Sequence, residues 1–202
     1  LSPDIPGAFV YGDYRGYKAA PGKYTARLSS KGITTSTEFE IIPDPNLKVD
    51  AGAWTEQQEI LSRITNNISE IHLSVNDMRK VKKQVEFYNE ALKNKSDSKE
   101  LTDKGAALIK KIDEWESNLV ETRQKNGQDV INWPSKLNAE FFNIKSLADG
   151  HDPRITQGVK NRLADLEKEW AIHKNTMQNV LKKEVEAYNN LFKNKNLPAI
   201  IQ

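Results

Sequence analysis

The chain has 202 residues, enough to bury one sizeable core and carry a smaller appendage. Its 30 Lys and Arg against 28 Asp and Glu leave a net charge of +2 with both signs interspersed, which argues against a nucleic-acid partner, since that would need a one-sided basic stripe. The absence of cysteine excludes a disulfide framework, a thiolate zinc site and a cysteine nucleophile, and no run of about 18 apolar residues offers a membrane span.

Residues 1–42 carry the grammar of β structure: Pro, Gly and Asp punctuate short stretches in which apolar residues alternate. Residues 8–11 are a candidate strand, and residues 12–22 read as a polar, Gly-containing loop that carries Tyr14 and Tyr17. Tyr24, Ala26 and Leu28 then point one way with Thr25 and Arg27 opposite. A turn at 29–32 returns the chain into 33–42, where Ile33, Thr35, Thr37, Phe39 and Ile41 share a face. This predicts a hairpin, with 8–11 as a third strand. So little sheet is unstable alone, so it must complete a larger sheet or lie against helices. The first alternative is preferred, with residues 1–46 as the C-terminal part of an immunoglobulin-like sandwich.

The grammar changes across 43–53, and residues 54–202 read as helical. A mean hydropathy of −0.70 suits long helices with solvated outer faces. The first helix, about 54–94, has its seam at Ile64, Ile68, Ile71, Val75, Met78, Val85 and Leu92, interrupted by Lys82. The second, about 98–124, is capped by Asp97 or Ser98 and uses Leu101, Gly105, Leu108, Ile112, Trp115, Leu119 and Thr122; Asn126-Gly127 stops it. A short third helix, about 135–149, follows Trp133-Pro134 with Leu137, Phe141, Ile144 and Ala148. The fourth, about 153–194, carries Ile155, Val159, Leu163, Leu166, Trp170, His173, Met177, Val180, Glu184, Ala187 and Leu191. Short connections favour an antiparallel up-down four-helix bundle. The expected fold is therefore mainly α, with the β segment preceding the bundle.

No catalytic grammar emerges. His72, His151 and His173 are the only histidines, and none has the spacing of a helical zinc site, so no metal and no cofactor is expected. His173 lies on a seam and reads as a structural core residue. Asp113, Glu114 and Glu116 flank Trp115, and Glu167 and Glu169 flank Trp170. Adjacent helical positions diverge, so these acids do not form a glycosidase pair, and both tryptophans read as core anchors. The best ligand or partner surface in the sequence is the aromatic group Phe9, Tyr11, Tyr14 and Tyr17, which could stack on sugars or pack against the rest of the protein.

The run PGAFVYGDYRGYKAAPGKYTARLSSKGITTSTEFEIIPDPNL resembles the end of bacterial secreted proteins that carry a sortilin-like, Asp-box β-propeller and are often called glycosyl hydrolases. In that family a similar Pro-Gly-Ala-Phe to Ala-Pro-Gly-x-Tyr-x-x-Arg-Leu stretch closes an immunoglobulin-like domain and leads through Pro-Asp-Pro into a helical tail. INWPSKLNAEFFNIKSLADGHDPRITQGVKNRLADLEKEW and NNLFKNKNLPAII resemble the rest of that tail, except that Pro153-Arg154-Ile155 stands where the family has Pro-Thr. The resemblance implies a secreted, periplasmic or cell-surface bacterial protein whose propeller lies before Leu1, so no active-site residue carries over. The chain's start at Leu-Ser-Pro fits the same expectation of a piece of something longer. The function expected is that of a non-catalytic C-terminal accessory module that braces the propeller or docks a partner. The alternative is a carbohydrate-binding region that uses the tyrosine loop.

Overall fold

The computed structural model describes residues 4–10, 12–95 and 98–195. It is mainly helical, with a two-stranded antiparallel sheet before four principal helical segments. Strands β1 (Gly22–Ser30) and β2 (Ile33–Ile41) pair in register from Gly22 opposite Ile41 to Ser30 opposite Ile33. Lys31 and Gly32 connect them, both at positive φ (47° and 81°), the two-residue turn whose twist suits a hairpin. Residues 8–10 of the expected third strand are not in a strand. Val10 and the nearby Ile5 are instead buried against helices, and Tyr11 lies outside the described residues.

Helix α1 (Ala51–Leu92) runs 42 residues, about 63 Å at the standard rise. It begins three residues before the expected start because Asp50 caps it, accepting from the Ala53 N–H at 3.0 Å. Its apolar seam is buried as the spacing predicts, while Lys82 turns out to pair with Asp113 at 2.5 Å. Helix α2 (Lys99–Leu119) buries Leu101, Gly105, Leu108, Ile112, Trp115 and Leu119. Ser98 precedes it without a side-chain capping bond, and Asp97 is outside the described residues. The helix stops five residues earlier than expected: Val120 is extended and buried, and Thr122 is exposed. A 3₁₀ turn (Gly127–Ile131) leads to α3 (Leu137–Ala148).

Helix α4 (Gln157–Asn179) starts at a Thr156 cap rather than at Pro153. It does not continue as one regular helix. A π turn (Val180–Val185) joins it to α5 (Glu186–Asn194). The extra residue in the π turn shifts the buried face by one position. Regular spacing from Val180 predicts Ala187 and places Glu184 on the seam. Instead Tyr188 is buried, and Glu184 pairs with Lys111 at 2.5 Å.

Cross-links set the directions. Arg79 meets Glu116, Lys82 meets Asp113 and the Asn89 amide donates to the Thr102 carbonyl, so α2 is antiparallel to the C-terminal half of α1. Gln57 donates to the Ala148 carbonyl at 2.9 Å and His72 faces Phe142, so α3 continues along the N-terminal half in the same sense. Glu56–Lys160, Arg63–Glu167 and Glu70–Lys174 advance by one heptad on both helices, so α4 is parallel to α1. The four helices are thus not side by side in alternating directions. Two short helices lie end to end opposite one long one, with α4 and α5 as the third column.

Three loops share one device, an acid that accepts from both the backbone N–H and the guanidinium of an arginine two residues on: Asp13 with Arg15, Glu121 with Arg123, and Asp152 with Arg154. The Arg123 bonds lower the Glu121 carboxyl to about 2, and those of Arg154 do the same for Asp152. The unfolded carboxyl of a glutamate ionises near ~4.3. The stabilisation is therefore complete above that value and is lost as the pH falls from there through about 2. Urea midpoints measured across this window should fall less steeply for Glu121→Gln than for the parent; parallel curves would remove Glu121 from the acid response.

Candidate functional site

Residues 4–20, Tyr11 apart, form an extended strap along the groove between α1 and α3. The Asn76 amide donates to the Asp4 carbonyl at 3.0 Å and Arg79 to the Pro6 carbonyl at 2.5 Å, while Ile5 and Val10 are buried. Further along, the Tyr14 ring lies 4.7 Å from Phe142 and 6.4 Å from His72, centroid to centroid. Gly12 rests on the same phenylalanine, where a Cβ would come within 2.8 Å of the ring. Lys145 is 4% exposed, and its ammonium donates to the carbonyls of Asp13 and Arg15 at 2.7 and 2.6 Å. The strap ends where the Gln58 amide donates to the Lys18 carbonyl.

This arrangement decides how the aromatic group is used. Tyr14 and Tyr17 pack against the core, Phe9 is half-buried, and Tyr11 lies outside the described residues. Burial raises the Tyr14 hydroxyl above its ordinary range, the expected direction for a phenol held against apolar neighbours. Trp115 and Trp170 are core residues, 3% and 2% exposed. Their indole N–H groups donate to the His173 carbonyl at 2.8 Å and to Glu70 at 2.7 Å. The His173 side chain is only partly buried, so the contribution of that position is its carbonyl. His72, at 1% exposed, is the core histidine.

The acids beside the tryptophans face different partners: Asp113 pairs with Lys82, Glu116 with Arg79 and Glu167 with Arg63. Among the described residues no group of three or more His, Asp or Glu converges as metal ligands, and no helix is long and apolar enough to cross a membrane. An open groove of about 1200 Å³ runs between α1, the end of α2 and the 120–123 segment. Its charges are largely spent on one another, in Arg79–Glu116, Lys82–Asp113, Lys80–Asp77 and Arg123–Glu121.

The hairpin is the contrasting surface. Residues directly opposite in an antiparallel pair share a face. Tyr24 with Phe39, Ala26 with Thr37, Leu28 with Thr35 and Ser30 with Ile33 therefore make one apolar face. Lys23 with Glu40, Thr25 with Glu38, Arg27 with Ser36 and Ser29 with Thr34 make a polar one. The Tyr24 and Phe39 rings stack at 5.7 Å, yet Phe39 is 48% exposed, Leu28 69% and Ile33 75%. The strands make extensive contact only with each other.

Compared with protein-family models, with curated proteins and with solved structures, the chain matches none.

Gly12→Ala forces a methyl into the packed Phe142 ring and should cost about 1–3 kcal/mol by urea denaturation, with faster proteolysis of the strap. Gly16→Ala, with nothing within 4 Å, is the control and should leave both unchanged. Equal behaviour of the two variants would mean that the strap does not depend on this contact.

Proposed function

We propose that this chain is a non-catalytic accessory module, the C-terminal region of a larger secreted protein. In it the hairpin supplies the last strands of an immunoglobulin-like sandwich, and the helical part braces a β-propeller or presents a surface to a partner. The observation that supports this most is the bare apolar face of the hairpin, carried on nine-residue strands that gain no cover from the helices. A hairpin with one greasy and one charged face is half of a sheet packing, and it is marginal on its own. The resemblance of residues 6–47 to the end of an immunoglobulin-like domain names the same missing half.

The size of the face favours a sheet of the same polypeptide over a free partner. Its five larger apolar side chains, Tyr24, Leu28, Ile33, Phe39 and Ile41, partly shielded by one another, offer roughly 500 Å², short of the ~800 Å² per side of a standard stable interface. An intramolecular sheet needs less, because its effective concentration is high. The carbohydrate-binding alternative draws on the tyrosine loop, and the engagement of Tyr14 with Phe142 and His72 leaves it less support. Secretion and the propeller rest on the sequence resemblance alone.

The coding sequence upstream of the Leu1 codon tests this directly. In-frame strands followed further upstream by a propeller are expected; an initiation codon immediately before Leu1 would sink the proposal. In the isolated chain, hairpin amides should exchange with solvent orders of magnitude faster than those of α1 and α2, and equal protection would show that the hairpin lacks no cover.

A further inference from the structure

The hairpin is held to the helices at both its roots, and both holds converge on the turn between α3 and α4. On the N-terminal root, the Lys18 N–H donates to Asp149 Oδ1 at 3.0 Å and the Lys18 ammonium to the Asp149 carbonyl at 2.9 Å. On the C-terminal root, His151 Nε2 lies 3.0 Å from Asp44 Oδ2. Each root is also braced by itself. The Tyr24 hydroxyl donates to the Ala20 carbonyl at 2.6 Å, and Asp44 accepts from the Asn46 N–H at 2.8 Å. The turn is fixed from within: Gln57, 3% exposed, donates to the Ala148 and Gly150 carbonyls at 2.9 and 3.3 Å, and Asp152 accepts from the Arg154 N–H at 3.0 Å around the buried Pro153.

We propose that residues 148–152 act as a clamp that fixes the angle of the hairpin on the helical body, so that a sheet docked on the hairpin is presented to a long helical arm in one orientation. The docked sheet presupposes the function proposed above, but the clamp itself belongs to this chain and can be measured without a partner. Geometry makes it effective. Only residues 19–21 separate the Lys18 anchor from β1, and only 42–43 separate β2 from Asp44. A ribbon pinned through two such short tethers loses most of its freedom to swing, whereas one tether would leave a pivot. Asp44 has its carboxyl lowered by the Asn46 N–H first and by His151 second, so the C-terminal anchor is ionised wherever the protein is folded near neutrality. Asp149, His151 and Lys18 are positioning residues in this scheme.

The test uses paired spin labels, made simple by the absence of native cysteine. One pair, Lys31→Cys with Lys168→Cys, spans the hairpin tip and α4. A second, Lys110→Cys with Lys168→Cys, lies within the helical body. A third, Arg27→Cys with Ser36→Cys, reports on the hairpin itself. The first pair should give a single narrow distance distribution by pulsed electron resonance, broadened several-fold in Lys18→Ala/Asp149→Ala/His151→Ala, while the second pair stays narrow and the directly opposed third pair keeps the dipolar broadening of its continuous-wave spectrum. A first-pair distribution already broad without the substitutions, or one the triple variant leaves unchanged, overturns the clamp. Broadening of the second pair, or loss of the third pair's dipolar coupling, would mark unfolding, in which case His151→Ala alone must still widen the first pair for the clamp to stand. None of these outcomes depends on what the hairpin binds, so the docking proposal and the clamp fail separately.

Discussion

The continuous apolar stripe along α1 is what the rest of the structure must satisfy. A single 42-residue helix presents about 63 Å of seam, and the chain next supplies two shorter helices that cover it in tandem, with α4 and α5 on the other flank. The ion pairs between α1 and α4 fix which heptad meets which. Glu56, Arg63 and Glu70 alternate in sign, as do Lys160, Glu167 and Lys174, so a slip of seven residues would set Glu56 against Glu167 and Arg63 against Lys174 or Lys160. Exposed pairs of this kind contribute little stability each, about 0–1 kcal/mol, but a like-charged alternative penalises the wrong register. Where α2 and α3 leave a side uncovered, the strap closes it.

Helix seams were legible because each repeats with a period that geometry dictates, and nearly every seam residue named for α1, α2 and α3 is buried. What was not legible came from partners with no period. Lys145 and Phe142 stand off the α3 seam, and nothing local in the sequence predicts their burial; an extended strap some 130 residues away covers them. The same non-periodic segment explains why residues 8–11 read as a strand: alternation marks any extended chain with one side buried, paired or not. Gly12 was a usable signal, a glycine beside bulky residues where backbone approaches a ring. Helix ends were misplaced where side chains decided them, at Asp50 and Thr156. The hairpin, with its turn at Lys31-Gly32, was read nearly residue for residue because its pattern is local.

The helices bury the seams that face one another, leaving Leu73, Phe87, Leu147 and Ile172 as exposed apolar side chains, whereas the hairpin leaves one whole apolar face uncovered. On the function proposed above, the hairpin is the docking element and the helical part its support. Among the described residues no group of three or more His, Asp or Glu converges as metal ligands, and the carboxyls of Glu121 and Asp152, lowered to about 2, are held by neighbouring arginines in turns, where they stabilise loops.

The π turn carries a different lesson. Because it takes up one surplus residue without breaking the helix, every position after Val185 performs the structural duty that a regular helix would assign to the position before it. Any alignment of this segment with an uninterrupted helix of the same architecture must therefore open a one-residue gap between 180 and 185. Scored without that gap, Tyr188 falls opposite surface positions and Glu184 opposite core ones, and true kinship in the last turns would read as noise.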